Sequence, residues 1–222
     1  MSIDIRTPKP NQISSGEACL IPIKSLYQSI LFMGKIMLSS EPQDWSPGGD
    51  AVTNPFFVQV DHVLQLTAEL ARELVGAHQS AAALIVSGDW AGARKYFSLS
   101  DKYAEWRSYR AGATGYGTHG LVVQKNEALR LTQSELEAHP AWKNFGREAG
   151  KHPPMRGWLA VPLIGHDNRN YGLLQLSDKY DESDFSSEDE KQLTILADLT
   201  GATLDALCRL YPDHGVGHQL NN

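Results

Sequence analysis

Residues 158–211 constrain this chain more than any other stretch. WLAVPLI is an unbroken apolar run, GHDNRN a polar turn, YGLLQLSDK a second apolar run, and SSEDEKQLTILADL the start of an amphipathic helix. An unbroken apolar run marks a strand covered on both faces, and two such strands joined by a short turn form an antiparallel hairpin. Ser186 followed by Asp189 is a capping box that fixes the first helical turn, and the helix runs to about Tyr211, ahead of Pro212. A sheet with a long helix lying on it is the outcome this order demands. Pro162 inside the first strand cannot donate a ladder bond, which ordinarily confines proline to edges.

A second long helix is expected over residues 55–75, with Asn54 as N-cap, Pro55 at the first helical position and Gly76 as the stop. Its apolar residues fall on two stripes: Phe56, Val60, Val63, Leu70 and Leu74 on one, Phe57, Leu64, Ala68, Ala71 and Val75 on the other. The C-terminal helix repeats the pattern, with Leu193, Leu196, Ala197, Leu204, Leu207 and Cys208 on one side and Ile195, Leu199, Ala202, Ala206 and Leu210 on the other. A helix apolar on two faces needs two partners. One is the sheet; the other is expected to be the same helices of a second copy, so a homodimer is predicted with Phe57, Leu64, Ile195, Leu199, Ala206 and Leu210 in its interface. The alternative is that an amphipathic segment at residues 24–38 folds back over the second stripes within one chain.

Between the long helices, AAALIV (81–86) reads as a central strand and RKYFSL (94–99) as an outer one, with Phe97, Leu99 and Lys95 on a common face. The two make a hairpin across SGDWAGA. GLVVQ (120–124) reads as a third short strand, and GYGTHG before it as a flexible crossing. With residues 158–164 and 171–177 this gives a five-stranded set.

The 222 residues hold one domain of roughly 150 residues plus extensions. Residues 1–53 are an N-terminal extension, with a linker rich in Pro, Gly and Ser over 39–53; residues 54–211 are the domain and 212–222 a flexible tail. Lys24 and Lys35 bracket an apolar window too short to cross a ~30 Å hydrocarbon layer, and neither a secretory leader nor a membrane span is found, so a cytoplasmic location is expected. A formal charge of −6 argues against a nucleic-acid partner. Cys19 and Cys208 are far apart and unpaired by any CxxC, which excludes a disulfide framework and a cysteine-rich metal site.

The run from Trp158 to Leu207, together with SLSDKYAEW, LRLTQSELEAHPAW and HPPMRGW, resembles GAF domains, in particular those found beside bacterial histidine kinase cores, over roughly residues 54–211. The resemblance implies an α+β fold: a PAS-related central antiparallel sheet of order 2-1-5-4-3, terminal helices on one face, and a ligand pocket under helices and loops on the other. It also implies a small-molecule-sensing regulatory protein acting as a dimer, with an unidentified ligand and with a histidine kinase or other signalling protein as the downstream partner. No kinase core follows in this sequence, so output is expected to come from a partner or from dimer geometry.

The pocket is expected to draw on Tyr96, Ser98, Trp106, Tyr109, Trp142, Phe145, Met155, Arg156, Trp158 and Gln175. Aromatic density suits a largely apolar pocket with a few polar anchors. Gln175 is the sharper member, because a polar side chain in an apolar strand must find a partner; it is read as sharing a face with Tyr171 and Leu173. Arg156 and Lys102 are candidate counter-charges for an anionic ligand. LSDKY occurs twice, at 99–103 and 176–180, each at a strand end; in the order 2-1-5-4-3 both strands flank the first and end on one rim, within roughly 10 Å of each other. Asp101, Lys102, Asp178 and Lys179 are therefore either a polar clamp at the pocket mouth or strand-ending residues that pair with one another.

Several activities lack their residues. There is no Asn-Lys-Phe-Asp-Glu set of the cyclic-nucleotide-binding members, no cysteine in the pocket loops for a bilin, and no thiol cluster for methionine-sulfoxide reduction. His119, His139, His152 and His166 lie outside the trusted helices, but His139 and His166 sit where exposure is the commoner fate, and His214 and His218 belong to the tail; neither haem nor metal is expected, and no particular cofactor is specified. No nucleophile elbow, Walker loop, HExxH or paired carboxylate set is present, so the chain is not expected to be an enzyme. Against the sensing dimer stand two alternatives: an enzyme converting a small molecule on the same scaffold, and a pure dimerisation module with a collapsed pocket.

Overall fold

The computed structural model describes residues 54–86, 89–108, 117–142 and 152–212. Helix α1 (Pro55–Val75) begins at Asn54, whose side chain accepts from the Phe56 N–H, and ends at Gly76, which takes the left-handed conformation at φ 74°. Strands β1 (Ala77–Val86) and β2 (Asp89–Leu99) follow, then a short 3-10 helix (Asp101–Trp106), helix α2 (Gly117–Lys125), β3 (Leu129–Leu131), helix α3 (Gln133–Ala138), β4 (Trp158–Ile164), β5 (Asn170–Lys179) and helix α4 (Ser187–Leu210). Both Ser186 and Thr132 form complete capping boxes, with Asp189 and Glu135.

The strands form one antiparallel sheet of order β2-β1-β5-β4-β3. This is the expected α+β arrangement and strand order. The third strand is not GLVVQ, however. Residues 120–124 lie inside α2, and the strand is Leu129–Leu131, paired with Trp158–Ala160 of β4. A short β-branched run does not distinguish strand from helix by periodicity; here Gly117 turns the chain at φ 79°, and Thr118, Gly120 and Val122 of the helix are buried. GYGTHG is thus partly the first turn of that helix rather than a crossing. β2 also begins earlier than RKYFSL, because DWAGA continues its ladder past a bulge between Leu84 and Val86. Pro162 is tolerated because it lies beyond the last β3 pair, Leu129 with Ala160, where β4 has a strand on one side only.

The sheet has two dissimilar faces. On one, Ala82, Leu84, Leu159, Val161, Leu163, Leu174 and Leu176 pack under α1 and α4. Of the two stripes read on α1, the buried face takes Phe56 and Val60 from one and Leu64, Ala68, Ala71 and Val75 from the other, joined by Thr67. Leu64 is wholly buried in this core, so it is not a dimer-interface residue; Phe57 is half-buried against the core with the Arg94 guanidinium over its ring. On α4 the stripes fall as expected: Leu193, Ala197 and Leu204 are buried, whereas Ile195, Leu199 and Leu210 are 62%, 65% and 72% exposed and Ala206 is exposed beside them. Gly201 lets α4 settle on β4, since a Cβ there would stand 2.1 Å from the Ile164 carbonyl oxygen. Thr67 and Thr200 hydroxyls join the two helices at 3.1 Å. Among the described residues no helix is long and apolar enough to cross a membrane.

Candidate functional site

The opposite face of the sheet carries a second, smaller core of Ile85, Val122, Leu131, Leu136, Trp158, Ala160 and Leu173, with Trp90, Val123, Leu129, Trp142 and Met155 against it. The register fixes what this far face presents around Gln175. Ala81 pairs with Phe97 and Gln175, Ala83 pairs with Lys95 and Leu173, and Ala160 pairs with Gln175 from the other side. Alternation places Ala81, Ala83, Ala160, Lys95, Phe97 and Gln175 on one face. Gln175 therefore has alanine on both sides, and Ala81, Ala83 and Ala160 are themselves buried.

Two side chains enter from outside the sheet. Helix α2 brings His119 over the indole of Trp158, ring centroids 5.4 Å apart and edge to face; the helix is held by the Asn170 amide, which donates to the Val123 carbonyl and to Asn126 Oδ1. The segment 152–157 brings His152 to Phe97, centroids 6.2 Å apart. That segment is pinned to β1, α3 and β5: Gln79 Nε2 donates to the Pro154 carbonyl at 2.6 Å, Gly157 N–H to Gln133 Oε1 at 2.8 Å, and Asp178 N–H to the Arg156 carbonyl at 2.8 Å. His152 Nδ1 lies 2.7 Å from the Pro153 carbonyl, an acceptor only, so Nδ1 carries the proton.

The electrostatics are those of a dry place. Burial pulls the Lys95 ammonium down to about 8, and among the described residues no carboxylate pairs with it; its nearest aromatic partner is the Phe97 ring, 4.5 Å away. Burial, with the Lys95 charge adding to it, pushes His119 down to about 3 and His152 to about 4, so both imidazoles are neutral near pH 7. A side-chain hydrogen bond with Gln175 works the other way on His119, yet among the described residues Gln175 Oε1 meets no hydrogen-bond geometry with any group. Among the same residues Trp158 Nε1 is also buried without a partner. A buried donor and a buried acceptor left open on the same face each cost about 1–3 kcal/mol. Such groups are uncommon in folded proteins unless something else satisfies them.

Of the residues expected at the pocket, Trp158, Gln175, Met155 and Trp142 lie on this face. Tyr109 and Phe145 lie outside the described residues. Tyr96 and Ser98 do not belong to it: they alternate onto the helix side, where Tyr96 packs on the main core and Ser98 accepts from Arg72 Nε at 2.9 Å. Trp106 is stacked edge-on to Tyr103, 5.6 Å between centroids, at the end of the first strand pair. Arg156 is exposed and serves through its backbone. Tyr171 departs from the face of Leu173 and Gln175, because Ile164 pairs with Asn170 and Leu163 with Gly172, leaving Tyr171 as the extra residue of a bulge; its hydroxyl bonds Asp205 of α4 instead. Lys95 is read in the sequence only as an outer-strand residue, and His119 and His152 only as candidate haem or metal ligands outside the helices; His119 in fact lies on α2. The available signal was Lys95 itself, a cation on the same face as Phe97.

The repeated LSDKY segments do meet at one rim. Lys102 Nζ lies 2.6 Å from Asp178 Oδ2, and the Tyr103 hydroxyl donates to the same oxygen at 2.7 Å. Asp178 is wholly buried, with φ at 61°. Between the two segments His78 of β1 bonds Ser100 Oγ at 2.7 Å and stacks on Tyr180; burial leads the causes that lower its pKa. Asp101 and Lys179 turn elsewhere, to Arg107 and to Asp189. The echo is a strand-end lock in which Lys102 is spent on Asp178 and does not reach the far face as a counter-charge. Among the described residues no cluster of three or more His, Cys, Asp or Glu is placed to hold a metal.

A family model described as GAF domain matches residues 58–205. Solved structures share the fold: the GAF domain of a phosphoenolpyruvate-protein phosphotransferase from Coxiella burnetii is 20% identical, with 84% of this chain and 96% of that chain covered at a TM-score of 0.53. The blue-light-absorbing form of the Thermosynechococcus elongatus PixJ GAF domain is 15% identical over 78% of this chain and 100% of that one, TM-score 0.56. Residues 122 to 287 of a methyl-accepting chemotaxis protein are 13% identical over 68% and 92%, TM-score 0.53.

Proposed function

The chain belongs to the GAF domain family, and on that premise we propose that it is a regulatory sensor whose far face holds a small molecule and whose α1 and α4 helices pair with a second copy. The observation that carries the reading is the pair of open buried groups, Trp158 Nε1 and Gln175 Oε1, beside buried alanines. A ligand that satisfies both lowers the free energy of the folded state by mass action. The second half rests on Ile195, Leu199, Ala206 and Leu210, which line up along the outside of α4 with their apolar surface in water. Fold neighbours from a chemotaxis protein and a light-absorbing photoreceptor are in keeping with a sensing role.

The two halves are mechanically joined. Asp205, on the same helix as the exposed stripe, accepts from the His166 backbone N–H, lies 2.9 Å from His166 Nδ1, and takes the Tyr171 hydroxyl. Burial opposes its charge, but these hydrogen bonds prevail and hold its carboxyl below the ordinary value. The β4–β5 hairpin that carries Trp158 and Gln175 is thereby tied to the helix offered to the partner copy. Native mass spectrometry of freshly purified protein tests the reading: a dimer mass with a retained small molecule is expected. A bare monomer, with no library compound raising the melting temperature, would overturn it.

A further inference from the structure

Resting on that sensing reading, the far-face geometry also restricts what the ligand is. Lys95 and Gln175 lie on the same face two strands apart and two residues out of step, because Lys95 pairs with Ala83 while Gln175 pairs with Ala81. Strand spacing and rise put their Cα atoms roughly 12 Å apart. Between them lie Ala81 and Ala83, both buried. The cation and the open acceptor thus stand at opposite ends of a strip of small apolar side chains. Its sides are aromatic: Phe97 and His152 near Lys95, Trp158 and His119 near Gln175.

We infer that this strip takes a small, flat organic carboxylate, its anion on Lys95, a hydrogen-bond donor at its other end on Gln175 Oε1, and Trp158 Nε1 donating to it. One ammonium with no carboxylate partner among the described residues calls for one negative charge. His119 and His152 face Lys95 as neutral imidazoles, so they add no second charge, and a dianion such as a phosphate monoester would be left with an excess charge in a dry site. An anion on Lys95 also restores the ammonium to its charged form, which burial alone disfavours. The Gln175 end specifies a donor, because the orphaned atom there is a carbonyl oxygen.

Two probes of matched shape, 4-hydroxybenzoate and its neutral analogue 4-hydroxybenzamide, and a third of different shape and charge, inorganic phosphate, decide the matter, each titrated into the full chain at pH 7 by tryptophan fluorescence and thermal shift. The expected result is saturable binding of 4-hydroxybenzoate, at least tenfold weaker binding of the amide, and no response to phosphate. Lys95→Met should abolish the preference for the acid over the amide, and Gln175→Leu should weaken both phenols. Lys95→Met removes a buried charge and is not expected to unfold the protein, and its intrinsic melting temperature reports on that independently. Equal binding of acid and amide, an unchanged acid preference in Lys95→Met, tighter binding of phosphate, or no binding by any of the three would overturn the carboxylate assignment. The sensing reading would survive each of these if native mass spectrometry still showed a retained compound that is lost in Gln175→Leu.

Discussion

Lys95→Met should make the protein more stable, and the amount should depend on pH. The Lys95 ammonium is pulled from 10.5 to about 8 by burial, with no carboxylate partner among the described residues to offset it. At 1.36 kcal/mol per pK unit the full penalty is about 3 kcal/mol, and because Lys95 is half-buried by surface area the working figure is about 1–3 kcal/mol. The sign follows from proton binding. The unfolded chain holds the Lys95 proton more tightly than the folded one, so the penalty is complete below pH 8 and is relieved as pH rises from about 8 to 10.5. Methionine has no such term. Urea unfolding followed by tryptophan fluorescence at pH 7, 8.5 and 10 should show Lys95→Met ahead by about 1–3 kcal/mol at pH 7, with the lead shrinking as the pH rises. Tyr103 and Tyr171, whose pKa values burial raises, cost both proteins stability above pH 10 and cancel in the difference. A lead that does not change with pH, or a mutant less stable at pH 7, would refute the buried-ammonium argument.

Other perturbations separate the parts of the account. Gly201→Ala drives a Cβ into the Ile164 carbonyl, 2.1 Å from its oxygen, and should lower stability by about 2–3 kcal/mol in thermal denaturation. Asp178→Asn keeps a residue that tolerates the φ of 61° but removes the charge that Lys102 and Tyr103 share; a loss of about 1–3 kcal/mol is expected, and spectrophotometric titration should show Tyr103 ionising at lower pH than in the wild type. Leu199→Glu places a charge in the exposed α4 stripe and should give a soluble monomer by sedimentation; a mutant that still sediments as a dimer rules out that surface as the contact.

The long elements were legible because each announces itself locally. Asn54-Pro55 and Gly76 bound α1, Ser186 and Asp189 start α4, and the β4–β5 hairpin is two apolar runs around a polar turn. The strand order came through the family resemblance, which no single segment carries. Misreadings arose where a tertiary term decides. GLVVQ is helical because Gly117 turns the chain and Val122 packs on the far-face core. Tyr171 changes face because of a one-residue bulge that alternation cannot foresee. Tyr96 and Ser98 were assigned to the pocket although alternation from Phe97 already places them on the other side. Gln175 is conspicuous in the sequence as a polar group in an apolar strand, and Trp158 through the density of aromatics around it. The place of His119 and His152 on this face is not legible in the sequence, because their burial is made by elements distant in sequence.

The central claim is that Trp158 Nε1 stays open in the empty protein and is closed by ligand. The indole N–H resonances of the five tryptophans, assigned by the missing signal in Trp158→Phe, report on it directly. In ligand-free protein the Trp158 signal should lie at the position of an unbonded indole and move downfield on saturation with the bound compound. A Trp158 N–H that is already hydrogen-bonded without ligand, or that does not respond while the protein is saturated, would contradict the account.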